Sequence, residues 1–144
     1  MKTSSTRRRR GFTLIEVLLV LVILVILASL AVVNIISAQK SANLKAAKVQ
    51  VQLFDDALQN YQLDVQSFPS TATGLQALVS QPADLQDSTK WAGPYLNKGT
   101  LPLDPWSKPY QYSYPGQHNT DRPDVWTVSP DGREIGNWSD EMKR

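Results

Sequence analysis

No cysteine occurs among the 144 residues, so no disulfide can hold any part of the chain together, even in a compartment that would permit one. Histidine occurs once, as His118, which excludes a zinc site built from several histidines and cysteines. The sequence has no glycine-rich phosphate loop and no nucleophile-elbow pattern, so it shows no means of consuming a nucleotide or of acyl transfer. His118, Asp121 and Ser129 can be drawn as a triad, but without those signatures they read as polar loop residues. Asp121 and Asp124, on either side of Arg122 and Pro123, read as solvated. Between Phe12 and Phe68 there is neither proline nor glycine, and nothing in that stretch breaks a helix.

Acid is absent from positions 1–11, where Lys2, Arg7, Arg8, Arg9 and Arg10 supply five of the fifteen basic residues. With those five charges set aside the formal net charge of +2 becomes −3, which gives no reason to expect a nucleic-acid partner. Four arginines beside an apolar run instead hold the cytoplasmic end of a membrane segment. The run follows at once. From Val17 to Val33 every residue is apolar except Ser29, and the run extends to Phe12 and Ile36. As a helix it would reach roughly 37 Å, more than the hydrocarbon core of about 30 Å. A lipid-exposed strand would leave backbone groups unpaired, so a helix is expected.

Glu16 is the anomaly. A carboxylate in such a run costs on the order of 2.5–3.5 kcal/mol at the centre of a span and less near an end. An ordinary secretory signal, cut after Ser29-Leu30-Ala31, leaves it unexplained, and so does a twin-arginine signal at Arg9-Arg10. A cut between Gly11 and Phe12 explains it. The new α-amino group of Phe12 is a cation four residues away, and in a stack of axially shifted helices Glu16 can meet the amine of the next copy.

Gly11-Phe12-Thr13-Leu14-Ile15-Glu16, with the basic leader before it and the apolar run after it, resembles the processing motif of type IV pilins and of the pseudopilins of type II secretion. The resemblance implies cleavage after Gly11 by a prepilin peptidase, methylation of the Phe12 nitrogen, and a role for Glu16 in adding subunits to a filament. The chain departs from that pattern at Val25 and Val33, where many members carry a glycine and a proline. Valine lowers helix propensity without removing a hydrogen bond, so an unbroken helix is expected in the single chain.

Beyond Asn34 the period of the helix continues while the composition turns polar. Leu44, Ala47, Val51, Phe54, Leu58, Tyr61 and Val65 form one stripe, with Lys45, Lys48, Gln52, Asp55, Gln59 and Gln62 off it. One helix of about 50 residues is expected, its second half packed against the rest of the chain. Phe68-Pro69-Ser70 ends it, and residues 73–79 read as a short helix. A long loop then runs to Pro109, anchored by Trp91, Tyr95 and Leu96. Residues 110–114, 125–129 and 135–138 read as strands, with turns at Pro115-Gly116 and Asp131-Gly132. The expected fold class is α+β. A long N-terminal helix, membrane-spanning in its first half, packs against a small C-terminal antiparallel sheet.

Phe68-Pro69-Ser70-Thr71, Gly74-Leu75-Gln76-Ala77-Leu78, Gly93-Pro94-Tyr95-Leu96, Leu103-Asp104-Pro105-Trp106, Ser129-Pro130-Asp131-Gly132 and Ile135-Gly136-Asn137-Trp138, in that order, narrow the resemblance to the major pseudopilins of type II secretion, the G-type subunits. The missing cysteines point the same way, because adhesive pilins usually close a C-terminal disulfide loop. The resemblance divides the chain into a removed leader (1–11), a membrane and assembly half of the helix (12–36), its amphipathic half (37–66) and a periplasmic globular part (67–144).

It implies a non-enzymatic subunit of a periplasmic filament that drives folded proteins across the outer membrane. That filament is anchored first in the bacterial inner membrane by a single pass. The implied partners are the chain itself, the prepilin peptidase, an inner-membrane assembly platform with its ATPase, and minor pseudopilins. A type IV pilus subunit for adhesion, motility or DNA uptake is the alternative, and a secreted enzyme or binding protein starting at Val32 is a further one. Relatives of this kind usually bind calcium between the last two strands. Here Asp131 and Glu134 are the only carboxylates of a shortened loop, and calcium takes six to eight oxygens. A tight Asp-Gly turn with Arg133 and Glu134 exposed is favoured, with a reduced calcium site as the other reading. In that turn reading, Trp126 and Trp138 pack to hold the last strands.

Overall fold

The structure, a computed structural model, describes residues 11–97 and 99–138, without the side chains of 30–34. The arginines at positions 7–10, expected to flank a membrane, lie outside the described residues. The chain divides into two compact units, residues 1–40 and 41–144.

Helix α1, Leu14–Val65, is 52 residues long. It is helical throughout, with no interruption at Val25 or Val33, as two residues that keep their backbone N–H allow. In the first unit every described large apolar side chain from Phe12 to Leu27 is exposed, from 46 % at Ile23 to 86 % at Leu14. Ser29, the polar residue of the run, satisfies its hydroxyl inside the helix by donating to the Ile26 carbonyl at 2.7 Å. Among the described residues no helix is long and apolar enough to cross a membrane. The apolar run is described with its side chains only as far as Ser29, resuming at Ile35.

In the second unit the stripe read from the sequence is the buried face of α1. Ala47, Val51, Phe54, Leu58, Tyr61 and Val65 are all buried, and Leu44 is half-buried. The face is wider than that stripe, since Ala57 and Asp55 are buried as well. α1 ends where Gln66, at φ 63°, enters the left-handed region and donates its N–H to the Gln62 carbonyl at 2.8 Å. A 3₁₀ turn, Gly74–Leu78, then returns Leu75, Ala77 and Leu78 to the core.

Strands β1 (Gln111–Ser113), β2 (Asp124–Val128) and β3 (Glu134–Gly136) form an antiparallel sheet in that order. Tyr112 pairs with Val125, and Thr127 with Ile135. Tyr110 and Val125 close the core over Phe54, the Phe54 and Tyr110 rings meeting edge to face at 5.1 Å. Burial pushes the Tyr110 phenol up to about 12, with the Asp104 carboxylate adding to the effect. The long loop is pinned by its aromatic anchors, as expected. Trp91 donates its indole N–H to the Ala77 carbonyl at 2.9 Å, and the Tyr95 hydroxyl reaches Asp64 at 2.9 Å. Each fully buried side chain of this core contributes about 1.5–3 kcal/mol, so the α1 stripe dominates the stability of the unit.

Candidate functional site

The residues at the N-terminal end of α1 are arranged by a helix cap. Thr13 immediately precedes the first helical residue, and the Glu16 N–H donates to the Thr13 carbonyl at 3.1 Å and to its hydroxyl at 3.4 Å. Threonine followed three residues later by glutamate is the capping-box pattern. Glu16 also lies in the first turn, where the helix dipole favours a negative charge. The cap was legible in Thr13-Leu14-Ile15-Glu16, but the cleavage motif occupies the same letters and draws the reading elsewhere. Phe12 lies before the helix, 81 % exposed, and Glu16 is exposed one turn further on. A Cβ added at Gly11 would meet nothing within 4 Å, so packing does not call for glycine at that position.

A second group of polar residues organises the C-terminal part, and here the sequence reading is corrected. Asp124, read as solvated, is 2 % exposed. Its carboxylate accepts the backbone N–H groups of Gln117 (2.6 Å), His118 (2.7 Å) and Asn119 (3.0 Å), and the His118 ring lies 3.2 Å away. The reason is local. Residues 114–123 join two strands without forming one, and their N–H groups need an acceptor that is not a sheet neighbour. Gly116 sits under this carboxylate, where a Cβ would lie 2.7 Å from both Arg122 O and Asp124 Oδ1. Asp121 is exposed, as read.

Burial pushes the Asp124 carboxyl up, but the N–H bonds from His118, Asn119 and Gln117 together outweigh it and hold the group below the ordinary carboxylate value. Its contribution to stability is therefore present above about pH 4 and is lost as pH falls through the lower folded value. Thermal melts at a series of acid pH values should show this loss in the wild type. Asp124→Asn should start from a lower melting temperature at neutral pH and show a flatter acid limb.

His118 is held by Asp124 and stacked flat on Trp138, with ring centroids 3.8 Å apart at 9°. Trp138 does meet Trp126, at 6.2 Å and 53°, so the expected tryptophan pair is the looser of its two contacts. No triad forms. Ser129 Oγ lies 2.5 Å from Asp131 Oδ1 and 3.0 Å from Arg133 O, while His118 faces Asp124.

The turn between β2 and β3 is tight. Gly132, at φ 80°, donates to the Ser129 carbonyl and Ser129 donates to the Arg133 carbonyl, both at 2.9 Å. Asp131 and Glu134 are exposed, one in the turn and one opening β3, with Gly132 and Arg133 between them. These residues do not fit calcium. The turn offers two carboxylates where six to eight oxygens are needed, Asp131 already accepts from Ser129, and the Ser129 and Arg133 carbonyls already close the turn. Among the described residues no group of three or more acidic, histidine or cysteine side chains could hold a metal ion.

Two regions of the chain match family models. Residues 34–142 match one described as type II secretion system (T2SS), protein G, and residues 6–32 match the prokaryotic N-terminal methylation motif. The chain is 39 % identical over 141 residues to the type II secretion system core protein G of Vibrio cholerae serotype O1, covering 92 % of this chain and 94 % of that one. It is 41 % identical over 142 residues to the protein of the same name from Pseudomonas aeruginosa, covering 92 % and 96 %. The crystal structure of the major pseudopilin from the type 2 secretion system of enterohaemorrhagic Escherichia coli superposes with a TM-score of 0.60 at 31 % identity, covering 73 % of this chain and 94 % of that one.

Proposed function

The chain belongs to the type II secretion system protein G family, and from that membership we infer that it is the structural subunit of a pseudopilus. One observation carries the mechanism. From Leu14 to Leu27 the first part of α1 presents large apolar side chains on every side, all exposed, and Phe12 just before it is exposed as well. A helix apolar all round needs lipid or other helices about it. Before assembly the bilayer meets that need, with the arginines 7–10 on the cytoplasmic side and the globular part in the periplasm. After assembly neighbouring copies meet it.

Transfer from lipid to filament is made possible by charge. Removal of residues 1–11 by a prepilin peptidase frees the Phe12 amine, and methylation leaves that amine a cation. Glu16 of one copy then neutralises the amine of another, so two charges that are each costly in lipid offset one another only on assembly. The chain has no nucleotide site of its own in sequence, so an assembly platform and its ATPase would supply the work, with minor pseudopilins at the tip. The growing filament would push folded proteins through the outer-membrane channel.

The mature N-terminus is the direct test. Mass spectrometry of the chain from membranes should find Phe12 first and carrying one added methyl group. A mature chain beginning at Val32 would overturn the reading and make the apolar run an ordinary signal.

A further inference from the structure

Asn137 directly follows β3, and its side chain has all of its hydrogen-bonding positions in use. Its Nδ2 donates to Asp55 Oδ1 at 2.8 Å and to the Pro123 carbonyl at 2.9 Å. Its Oδ1 accepts from the Val125 N–H at 3.1 Å and from Asn119 Nδ2 at 3.2 Å. An asparagine amide has two donors and two acceptor lone pairs, and each is matched. Asp55 belongs to α1, is 6 % exposed, and its second oxygen takes Gln59 Nε2 at 3.0 Å and Arg122 Nη1 at 3.5 Å. One pair, a half-buried asparagine on a buried carboxylate, therefore ties the end of β3 to the long helix, to β2 and to the loop before β2. The turn that precedes it, as described above, lacks the oxygens for calcium.

We propose that this chain fastens its C-terminal hairpin without calcium, by seating Asn137 on the Asp55 carboxylate of α1. The pair does what a cation would do, in that it joins segments distant in sequence at one buried point. It differs in what it responds to. A cation can be removed by a chelator or by a fall in free calcium, and this pair cannot. The fold is then complete as soon as β3 docks, whatever the calcium level around it.

The test uses the full-length chain in detergent micelles, stripped of metal, with unfolding followed by the summed fluorescence of its four tryptophans, two of which, Trp126 and Trp138, lie in or beside the hairpin strands. This reads the fold and not filament growth, so it stands apart from the assembly reading. Wild-type melts should coincide in excess EGTA and in millimolar calcium. A site filled a hundredfold above its Kd would separate them by more than about 10 °C for a unit of this size. The double variant Asp131→Asn with Glu134→Gln should melt within about 3 °C of wild type. Asn137→Ala should lower the melting temperature by about 10 °C, because it leaves the buried Asp55 carboxylate and the Val125 N–H short of a partner. The milder Asp55→Asn keeps an acceptor for Asn137 and should lower it by about half as much. The proposal is overturned if EGTA lowers the wild-type melt, if the double variant collapses, or if both Asn137→Ala and Asp55→Asn melt like wild type.

Discussion

Replacing Glu16 with alanine should leave the cut after Gly11 in place and reduce filaments by at least about tenfold and up to roughly a hundredfold. The size follows from the electrostatics. An unneutralised charge costs on the order of 2.5–3.5 kcal/mol at the centre of a membrane span and less near an end, and each 1.4 kcal/mol is tenfold in an equilibrium, so the mid-span cost sets the upper limit. Without the carboxylate, the amine of a neighbouring Phe12 would enter the filament unpaired, and subunit addition would carry that cost. A competing explanation for the same loss lies at the helix start, where Thr13 and Glu16 form the capping-box pattern: the bond from the Glu16 N–H to Thr13 survives the substitution, but alanine removes the carboxylate that such a box turns back to the Thr13 N–H. The side-chain bond of a capping box is one hydrogen bond, a net contribution of about 0.5–1.5 kcal/mol to helix stability.

Glu16→Gln separates the two accounts. Glutamine still satisfies a capping box and carries no charge. Charge pairing therefore predicts that Glu16→Gln assembles as poorly as Glu16→Ala, whereas capping predicts that it assembles like wild type. Immunoblots for the shortened chain measure cleavage, and sheared filament fractions measure assembly. Wild-type filament yield from Glu16→Gln would sink the charge account.

The long helix was legible because two independent signals agree over it. There is no proline or glycine from Phe12 to Phe68, and the apolar stripe from Ala47 to Val65 is the buried face observed. The three strands were legible to within one or two residues, each lying between turn residues. The processing motif was legible because six adjacent letters carry it and a second family model covers the same stretch. What the sequence hid was the role of its acids. Asp55 lies off the apolar stripe and Asp124 closes the polar stretch Asp121-Arg122-Pro123, and a local reading makes both solvated. Each is buried by partners it meets only in the folded chain. Asp55 is covered by Asn137, 82 residues away, and by Arg122, 67 residues away. Burial of a charge is decided by who neutralises and hydrogen-bonds it, and no window of neighbouring residues contains that information.

The same helix offers a measurement of how far its stripe, and not its composition, sets stability. Leu58 and Leu63 are identical residues fewer than two turns apart on α1, and their surroundings are opposite. Leu58 is 0 % exposed and belongs to the cluster of Phe54, Tyr61 and Leu78, while Leu63 is 77 % exposed. Leu58→Ala should cost about 2–5 kcal/mol, because the atoms removed leave a cavity that the stiff α1 face cannot close. Against a total of about 5–15 kcal/mol that is a large share, and the melting temperature should fall by roughly 10–20 °C.

Leu63→Ala changes helix propensity by the same small amount and should stay within about 0.5 kcal/mol of wild type. Thermal melts of the two full-length variants check the pair, and equal shifts would mean that the buried face of α1 has been placed wrongly. Leu63 also carries a consequence for assembly. It is bare in the single chain, so a variant that melts like wild type yet yields fewer filaments would assign its loss to contact between subunits. A Leu58 variant with fewer filaments would admit no such assignment, because loss of the fold would account for it.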